Sequence, residues 1–178
     1  MNNAYAVVLD TGALLAKYYN LLPRHRVALY TTFSNVEEVR DEENKTALLD
    51  AIENRVVTVI EPASDCVKEA LNHAEESGEL AKLSKTDVSV IALALCLKRE
   101  GFNVVVLTDD YDVQNVLLRL NIGFKPLKSR GIREYRYYKV YCPVCGYVPG
   151  APGETTCPVC GSKLVTVRAR KGSSPPFL

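Results

Sequence analysis

Long hydrophobic runs are missing from this sequence of 178 residues. The longest one, residues 90–97, is far too short to span a bilayer, so we expect no membrane-spanning helix. The sequence starts with Met-Asn-Asn-Ala and has no basic segment of the kind that opens a signal peptide, and we therefore expect a cytoplasmic protein. A glycine-rich phosphate-binding loop is also missing. The two histidines, His25 and His73, are isolated, and neither is assigned a role.

Acidic residues are scarce in the C-terminal third of the sequence. Residues 125–178 contain two Asp or Glu and ten Lys or Arg, which gives a net charge of +8. Residues 1–124 contain 19 acidic and 12 basic residues, a net charge of −7 that nearly cancels the first value. This asymmetry predicts two parts with different roles that meet near Lys125. The basic part is suited to a polyanionic partner.

Short apolar segments alternate with helical patterns along residues 1–124. Segments rich in β-branched residues predict strands, and apolar residues spaced three and four apart predict helices between them. A continuous apolar stretch, preceded by Ser84 and Asp87 at capping-box spacing, predicts a central buried helix. Strands that alternate with helices favour an α/β fold with a parallel sheet. The predicted strands are Tyr5–Leu9 and residues 28–31, 56–60 and 104–107.

Four of the six cysteines form two nearly identical motifs, Cys-Pro-Val-Cys-Gly, separated by 11 residues. Four thiolates in two such pairs match the tetrahedral coordination of one structural zinc ion, and the glycine after each pair allows the turn to close. Redox motifs or disulfides are the alternative, and a cytosolic chain argues against them. We therefore predict a small β-rich zinc ribbon whose folding depends on the metal. The predicted zinc ligands are Cys142, Cys145, Cys157 and Cys160.

The other two cysteines, Cys66 and Cys96, fall in predicted helices, and apolar residues surround Cys96 in the sequence. Free cysteine is among the most frequently buried residues and packs as a small apolar side chain. We interpret both as buried core thiols, without a role in a metal site or a disulfide.

Four acidic residues lie where predicted elements begin or end. Asp10 and Asp110 follow strands, so parallel strands bring them to one edge of the sheet, where ligands bind in such folds. Asp87 begins the predicted buried helix, and Glu38 lies in a predicted helical turn. Clustered carboxylates repel each other unless cations neutralise them, and oxygen ligands suit Mg²⁺ or Mn²⁺. Together these acids favour a divalent-metal site for phosphodiester hydrolysis.

Each of these acids also has a purely structural interpretation. Asp10 and Asp110 are placed to cap the helices that follow them. Asp87 is placed to complete a capping box at the start of its helix. Glu38 is compatible with a solvated helix face. Taken singly, these alternatives stay open.

Short motifs in this order and spacing resemble the PIN nuclease domain over roughly residues 5–124. Further motifs are similar to signatures of the NIN-one-binding endonuclease family of small-subunit ribosome assembly, which also joins its PIN domain to a C-terminal zinc ribbon. The PIN-like motifs are Val7-Val8-Leu9-Asp10-Thr11-Gly12, Thr86-Asp87 before Ile91-Ala92-Leu93-Ala94, and Leu107-Thr108-Asp109-Asp110. The family-specific ones are Glu38-Val39-Arg40-Asp41, Leu83-Ser84-Lys85-Thr86-Asp87 and Gln114-Asn115-Val116-Leu117.

The resemblance implies an endoribonuclease that trims the 3′ end of small-subunit (16S-type) rRNA from its precursor and leaves a 5′-phosphate and a 3′-hydroxyl. It also implies that RNA, the pre-ribosomal small subunit and its assembly factors are the partners. Asp10, Asp87 and Asp110 would bind Mg²⁺ or Mn²⁺, with Glu38 as a ligand or a water-orienting group. Asp110 is preferred over its neighbours because it falls on the Thr-x-Asp position. The neighbouring acids that compete for these roles are Glu37, Asp109 and Asp112.

Basic residues interleaved with tyrosines connect the two parts. Cations on phosphates and tyrosine rings beneath unstacked bases are recurring elements of single-stranded RNA binding. The alternation in residues 133–141 is also typical of a strand that leads into the ribbon, and the two interpretations are compatible. The candidate RNA-binding residues are Lys125, Lys128, Arg130, Arg133, Arg136 and Lys139, interleaved with Tyr135, Tyr137, Tyr138 and Tyr141.

We therefore expect a PIN-like nuclease domain in residues 1–124, a basic linker in residues 125–138, a zinc ribbon in residues 139–171 and a flexible tail in residues 172–178. Two other functions stay open. One is a toxin-type PIN ribonuclease that acts on tRNA or mRNA, although such proteins usually stop at the PIN domain. The other is a non-catalytic RNA-binding assembly factor whose acids are structural.

Overall fold

The computed structural model describes residues 5–128, 131–132, 137–149 and 154–169. Several residues of the predicted RNA-binding segment lie outside this part of the chain, and so does the predicted tail, residues 172–178. Those segment residues are Arg130, Arg133, Glu134, Tyr135 and Arg136.

Five parallel strands form the central sheet, in the order β3-β2-β1-β4-β5. This arrangement confirms the predicted parallel α/β sheet. Strand β3 is shorter than the predicted segment 56–60, and β5 has no counterpart among the predicted strands. The strands are β1 (Tyr5–Leu9), β2 (Val27–Thr31), β3 (Thr58–Val59), β4 (Asn103–Leu107) and β5 (Gly123–Lys125).

Helices cover both faces of the sheet. Within the part of the chain that the structure describes, no helix combines the length and apolar character needed to cross a membrane. A short 3-10 helix, Tyr18–Asn20, follows the first α-helix. The α-helices are α1 (Thr11–Leu15), α2 (Phe33–Glu38), α3 (Glu42–Glu53), α4 (Ser64–Ser77), α5 (Lys85–Arg99) and α6 (Tyr111–Arg119).

The central strand β1 contributes to two separate cores. Ala6 and Val8 pack with α4, α5 and α6 on one face, whereas Val7 and Leu9 pack with α1, α2 and α3 on the other. Successive side chains of a strand point to opposite faces, so a strand covered on both sides must be apolar throughout. This requirement explains the continuous apolar run at residues 6–9, all of which are buried.

Helix α5 is the buried helix that the sequence predicts. Ser84 caps its N-terminus and forms the predicted capping box with Asp87, in which each side chain bonds the backbone amide of the other. Lys98 and Arg99 occupy its last turn, and Gly101 takes a positive φ of 90° just beyond the end. Its buried residues face β1, β4 and α4, so α5 attaches Asp87 to the core of the sheet.

The interpretation of Cys66 and Cys96 as free core thiols is wrong. A disulfide joins them and connects α4 to α5, with the two Cα atoms 5.9 Å apart. This separation lies within the range that a disulfide requires. The pairing depends on how the two helices face each other, and 30 residues of sequence separate the partners.

A second, antiparallel sheet of two strands belongs to the C-terminal ribbon. Strand β6 (Tyr137–Tyr141) pairs with β7 (Val165–Ala169), and Thr156 and Lys163 form an isolated bridge. Strand β6 contacts the first part of the chain at Gly78, which ends α4 with a positive φ of 76°. A Cβ atom at Gly78 would lie 3.0 Å from the carbonyl oxygen of Tyr138. Glycine is therefore needed there both for its backbone conformation and for the space.

Candidate active site and metal centre

The carboxyl ends of β1 and β4 place two of the predicted acids at one edge of the sheet. Leu9 and Leu107 are partners in the register, and the amide of Asp10 donates to the carbonyl of Leu107 at 3.3 Å. Asp10 caps α1 by accepting from the amide of Ala13 at 2.7 Å. Asp110 caps α6 and accepts from two amides of its first turn. The capping role is therefore real for both acids, and the sheet brings them to the same edge, hereafter the acidic edge.

Asp10 sits in an environment that opposes its ionisation. Burial raises the pKa of its carboxyl group most strongly, and the negative charges of Asp109 and Asp87 raise it further. Hydrogen bonds from the side chain of Thr108 and the amide of Ala13 act in the opposite direction. Three carboxylates thus interact at the acidic edge, and a cation placed among them would relieve their repulsion.

Asp109 and Asp110 differ in what their carboxylates bind. Asp109 is half-buried, and its Oδ1 accepts from the amides of Leu127 and Lys128 at 2.9 and 3.0 Å. Asp110 is exposed, and it binds amides of its own helix. Of the two, Asp109 is the one whose charge acts on Asp10. Asp109 therefore anchors the beginning of the basic segment directly beside the acidic edge.

Asp87 and Glu38 approach the acidic edge from two helices. Asp87 is half-buried, and its Oδ2 accepts from the amide of Ser84 at 2.8 Å. Glu38 is the exposed last residue of α2, and its Oε2 accepts from the hydroxyl of Thr11 at 2.5 Å. Because Thr11 directly follows Asp10, this bond places Glu38 next to the start of α1. Its competitor Glu37 is exposed on the same helix.

The donor set of the acidic edge fits a hard divalent cation. Among the described residues, only the four ribbon cysteines form a set of three or more ligand atoms that all lie within 4.8 Å of one another. The carboxylate oxygens of the acidic edge do not meet this distance limit. Mg²⁺ keeps several water ligands and binds proteins through one or two carboxylates, so it does not require a closed protein cage. The all-oxygen donors and the raised pKa of Asp10 are consistent with such an ion.

The four ribbon cysteines lie together in a cluster that could hold a metal ion. The Sγ atoms of Cys142 and Cys160 lie 3.4 Å apart, as do those of Cys145 and Cys157. A tetrahedral ion with Zn–S bonds of about 2.3 Å would hold its sulfur ligands about 3.8 Å apart. The four thiols are therefore already grouped at nearly the spacing that such a zinc ion requires.

The two knuckles repeat the same backbone geometry. Gly146 and Gly161 adopt positive φ values of 74° and 73°, and their amides donate to the carbonyls of Cys142 and Cys157 at 2.9 Å. Hydrogen bonds from the side chain and backbone of Ser162 lower the pKa of Cys160 to about 6. Against a backbone hydrogen bond from Tyr147, burial and the neighbouring thiols raise the pKa of Cys145 to about 12. Because the thiolate is the form that binds a metal, an ion in this cluster would have to displace the proton of Cys145.

Comparisons with known proteins agree with this geometry. Residues 7–97 match the family model described as the PIN domain of ribonuclease. An endoribonuclease Nob1 from Methanothermobacter thermautotrophicus is 36% identical over 164 residues, which cover 92% of this chain and 93% of that protein. The chain belongs to the Nob1 family of PIN-domain endoribonucleases. The predicted family resemblance is confirmed.

Other relatives lie inside and outside the Nob1 group. An endoribonuclease Nob1 from Pyrococcus abyssi is 38% identical over 146 residues, with 81% of this chain and 86% of that protein covered. A ribonuclease VapC3 from Aeropyrum pernix is 37% identical over 126 residues, with 71% of this chain and 88% of that protein covered. Both Nob1 and VapC ribonucleases therefore resemble this chain at similar identity.

The basic residues of this Nob1-family chain begin at the acidic edge. Lys125 ends β5, which pairs with β4, and the amide of Thr108 donates to its carbonyl at 3.3 Å. Lys125 and Lys128 are both exposed, and Asp109 holds the backbone of Lys128. Lys139 lies half-buried in β6 of the ribbon. The described cations thus start beside the acids and continue into the ribbon.

Sequence reasoning missed a set of buried polar side chains behind the acidic edge. Gln114 is fully buried, donates to the carbonyl of Thr108 and accepts from the amide of Ile132. It thereby ties the basic segment to the loop after β4. Hydroxyl and amide groups near Glu38 form a second polar set, in which Thr32 and Asn35 are buried. The only signal in the sequence is that Gln114 and Ser89 lie inside otherwise apolar helical segments. Members of the second set are Thr11, Thr32, Ser34, Asn35 and Ser89.

Proposed function

We propose that this endoribonuclease cleaves a precursor of small-subunit rRNA at its 3′ end, with a divalent metal ion, and leaves a 5′-phosphate and a 3′-hydroxyl. The observation that chiefly supports this proposal is the extent of the Nob1 match. It spans 92% of the chain, so it includes the four-cysteine ribbon as well as the PIN domain. The proposed place of work is the cytoplasm, with the pre-ribosomal small subunit and its assembly factors as partners.

The proposed catalytic residues are Asp10, Glu38, Asp87 and Asp110. Asp10, Asp87 and Asp110 would hold Mn²⁺ or Mg²⁺, which supplies positive charge to the water and to the scissile phosphate. Glu38 would act as a further ligand or orient the water, because its carboxylate already lies against Thr11 beside Asp10. Asp109 is occupied by the amides of Leu127 and Lys128, so we assign it an anchoring role.

The proposed RNA path runs from the acidic edge to the ribbon. Residues 1–124 carry a net charge of −7, so electrostatic attraction for RNA must come mainly from residues 125–178. Lys125 and Lys128 are exposed next to the acids, where they would contact the phosphates that flank the cut. The same role is proposed for Arg130, Arg133, Arg136 and Lys139. One structural zinc ion on the four cysteines would keep the ribbon folded.

One experiment tests the substrate and the metal together. The protein is incubated with RNA that spans the 3′ end of small-subunit rRNA and its downstream precursor, with and without Mn²⁺ or Mg²⁺, beside a tRNA of equal length. We expect one cut, dependent on the ion and abolished by Asp10→Asn. Cleavage that proceeds equally in a metal chelator would refute the metal dependence.

The VapC3 match supports a second candidate, a toxin-type ribonuclease that acts on tRNA or mRNA. The same experiment separates the two functions. Equal or faster cutting of the tRNA would favour the second candidate. Tight RNA binding without any cutting, in either metal, would instead favour a non-catalytic assembly factor.

A further inference from the structure

The second polar set enters the proposed function only through the contact between Thr11 and Glu38. Thr32 and Asn35 are 0% and 1% exposed, although hydroxyl and amide groups are normally solvated unless they bond each other. Thr32 and Asn35 belong to α2 and its N-cap, and they connect to Thr11, the first residue of α1. We call Thr32, Asn35 and Thr11, in that order, the hydroxyl chain.

The end of the hydroxyl chain at Glu38 has only one consistent direction. Thr11 has a single hydroxyl proton, and it donates that proton to Oε2 of Glu38 at 2.5 Å. The side-chain nitrogen of Asn35 lies 3.0 Å from the same hydroxyl and must therefore be the donor. This requirement also fixes the orientation of the Asn35 amide, whose oxygen faces the other way.

The same direction continues to the far end of the chain. The oxygen of Asn35 accepts from the hydroxyl of Thr32 at 2.5 Å, which uses the only proton of Thr32. Thr32 can then only accept from a further hydroxyl, and Ser34 at 3.0 Å is able to donate to it. Ser89, at 2.9 Å, does not donate to Thr32, because its only proton goes to the carbonyl of Thr86 at 2.8 Å. The donors directed toward Glu38 therefore begin at Thr32.

We infer that the hydroxyl chain is a positioning device for Glu38. Every donor along it points toward the Glu38 carboxylate, and such aligned bonds polarise and strengthen one another at low local dielectric. Glu38 is an exposed side chain at the end of a six-residue helix, and the chain limits the positions that it samples. The beginning of the chain, at Thr32, lies against Ser89 of α5, the helix that also carries Asp87.

The importance of Glu38 in this inference rests on the proposed function, whereas the existence of the hydroxyl chain does not. Thr11 and Asn35 act through Glu38, and so they are positioning residues. Their loss should slow the chemical step and leave RNA binding nearly unchanged, because none of their described bonds is made to the basic segment.

Two substitutions break the hydroxyl chain while they keep the shape of the side chain. Thr11→Val removes the donor to Glu38, and Asn35→Asp replaces the donating group with an acceptor. We expect each to lower kcat by about 10- to 100-fold, the usual effect of removing an outer partner of an active-site ligand, with KM changed by less than about threefold. Thr11→Ser keeps the hydroxyl and should restore kcat to within about threefold. Thr46→Val, on the exposed face of α3, is the matched control.

A second measurement does not require activity. Hydrogen exchange of side-chain amides is followed by NMR, with exposed Asn72 on α4 as the internal reference. The Asn35 amide should exchange much more slowly than that of Asn72, and Thr11→Val should reduce this protection. If Asn35 exchanges as fast as Asn72, the hydroxyl chain does not exist in solution and the inference fails.

The combined outcomes separate this inference from the proposed function. A protected Asn35 together with wild-type kcat in Thr11→Val, while Glu38→Gln is inactive, would overturn the positioning role alone. Full activity of Glu38→Gln with a protected Asn35 would instead overturn the proposed role of Glu38. A selective fall of kcat in Thr11→Val and Asn35→Asp, rescued by Thr11→Ser, would support the inference.

Discussion

The carboxyl group of Asp10 illustrates how a single residue serves two purposes. Its Oδ1 caps α1, which stabilises the helix, and its burial beside Asp87 and Asp109 raises its pKa, which opposes the charged form. The fold therefore carries a carboxylate whose charge destabilises it. The proposed metal ion would make that charge favourable, so the same feature that weakens the folded state would support ion binding.

Replacing Asp10 should therefore stabilise the protein while it abolishes cleavage. Because burial raises its folded pKa above the ordinary value of 3.8, ionisation of Asp10 lowers the free energy of unfolding as pH rises through the interval between the two values. Asp10→Asn keeps a good N-cap and carries no charge. We expect a higher Tm than wild type at pH 7 without divalent ions, and no difference below about pH 3.8.

Thermal melts across this pH range, followed by circular dichroism, provide the measurement. Asp50→Asn, on the exposed face of α3, is the control and should leave Tm nearly unchanged at both ends of the range. A lower Tm for Asp10→Asn at pH 7 would mean that the charge of Asp10 stabilises the fold, contrary to this argument.

The adjacent acids Asp109 and Asp110 can be separated by the same kind of substitution. Asp110→Asn retains an N-cap for α6, so we expect an unchanged Tm and a loss of cleavage of at least about 100-fold. Asp109→Asn should weaken its bonds to the amides of Leu127 and Lys128, and should raise KM more than it lowers kcat. Steady-state kinetics on the rRNA precursor provide the comparison. The opposite pattern, with Asp109→Asn inactive and Asp110→Asn active, would transfer the metal role to Asp109.

Residue-level prediction succeeded where the signal is local and failed where it depends on packing. The four ribbon cysteines were predictable because spacing within ten or twenty residues determines their ligand geometry. The different contacts of Asp109 and Asp110 were not predictable. The two acids are adjacent in the sequence, and only the backbone path after β4 determines which carboxylate lies near Asp10. The hydroxyl chain was invisible as well. Thr11, Thr32 and Asn35 look like ordinary solvent-exposed residues until α1 and α2 pack together.

At the scale of elements, helix α5 is held in place by several independent contacts. Its buried residues pack on β1 and β4, its first turn is fixed by the capping box, and the Cys66–Cys96 disulfide joins it to α4. Arg99 of α5 pairs with Asp65 and Glu69 of α4 across the same interface. These contacts matter for the proposed function because α5 carries Asp87 in its first turn.

Removing the disulfide should lower stability substantially. The bridge closes a loop with a sequence separation of 30 residues, and a loop of this size contributes about 3–4 kcal/mol in the chain-entropy model. We expect the double variant Cys66→Ser, Cys96→Ser to melt about 6–15 °C below wild type. Thermal melts and free-thiol titration give the measurement, and an equal zinc content in both proteins is the control. Unchanged Tm, or two extra free thiols in denatured wild type, would contradict the disulfide.

The elements themselves were largely predictable, and the exceptions have physical causes. Residues 5–9 and 104–107 are strands because both faces are covered and each position must be apolar. Strand β3 lies at the edge of the sheet, and only Thr58 and Val59 of the predicted segment pair with β2. Strand β5 has three residues and a glycine, which is too little for a periodic signal.

At the scale of the whole molecule, the ribbon is attached to the nuclease part through Tyr138. Its backbone lies against Gly78, and Nζ of Lys82 sits 3.8 Å from the centre of its ring. Lys82 also pairs with Asp112 at 3.1 Å and with Glu79 at 3.7 Å. Glu79 is fully buried and accepts from Asn115 at 2.7 Å. Burial raises the pKa of Glu79, and the positive charge of Lys82 acts in the opposite direction. The contact between the ribbon and the nuclease part therefore lies beside a buried carboxylate whose charge Lys82 partly compensates.

The proposed zinc site can be tested by removing one ligand. Cys157→Ser should bring the zinc content from one ion per chain to none, because three remaining thiols leave the site open. We expect the ribbon to unfold, since metal binding supplies most of the folding free energy of so small a unit. Residues 1–124 should keep their thermal transition. Metal analysis, limited proteolysis and calorimetry provide the measurements, with Val159→Ala, at an exposed position between two of the cysteines, as the control. If the entire protein melted in one transition at a lower temperature, the proposed boundary near residue 125 would be wrong.

The contact at Gly78 sets the spacing between the two halves of the molecule. Tyr138 rests on a position that has no side chain, so the distance from the ribbon to the acids is set by direct backbone contact. Extra residues inserted before Tyr138 would lengthen the linker but should leave the distance between the ribbon and the acids unchanged. If the ribbon binds RNA as proposed, this contact would set the number of nucleotides between the site of binding and the site of cleavage.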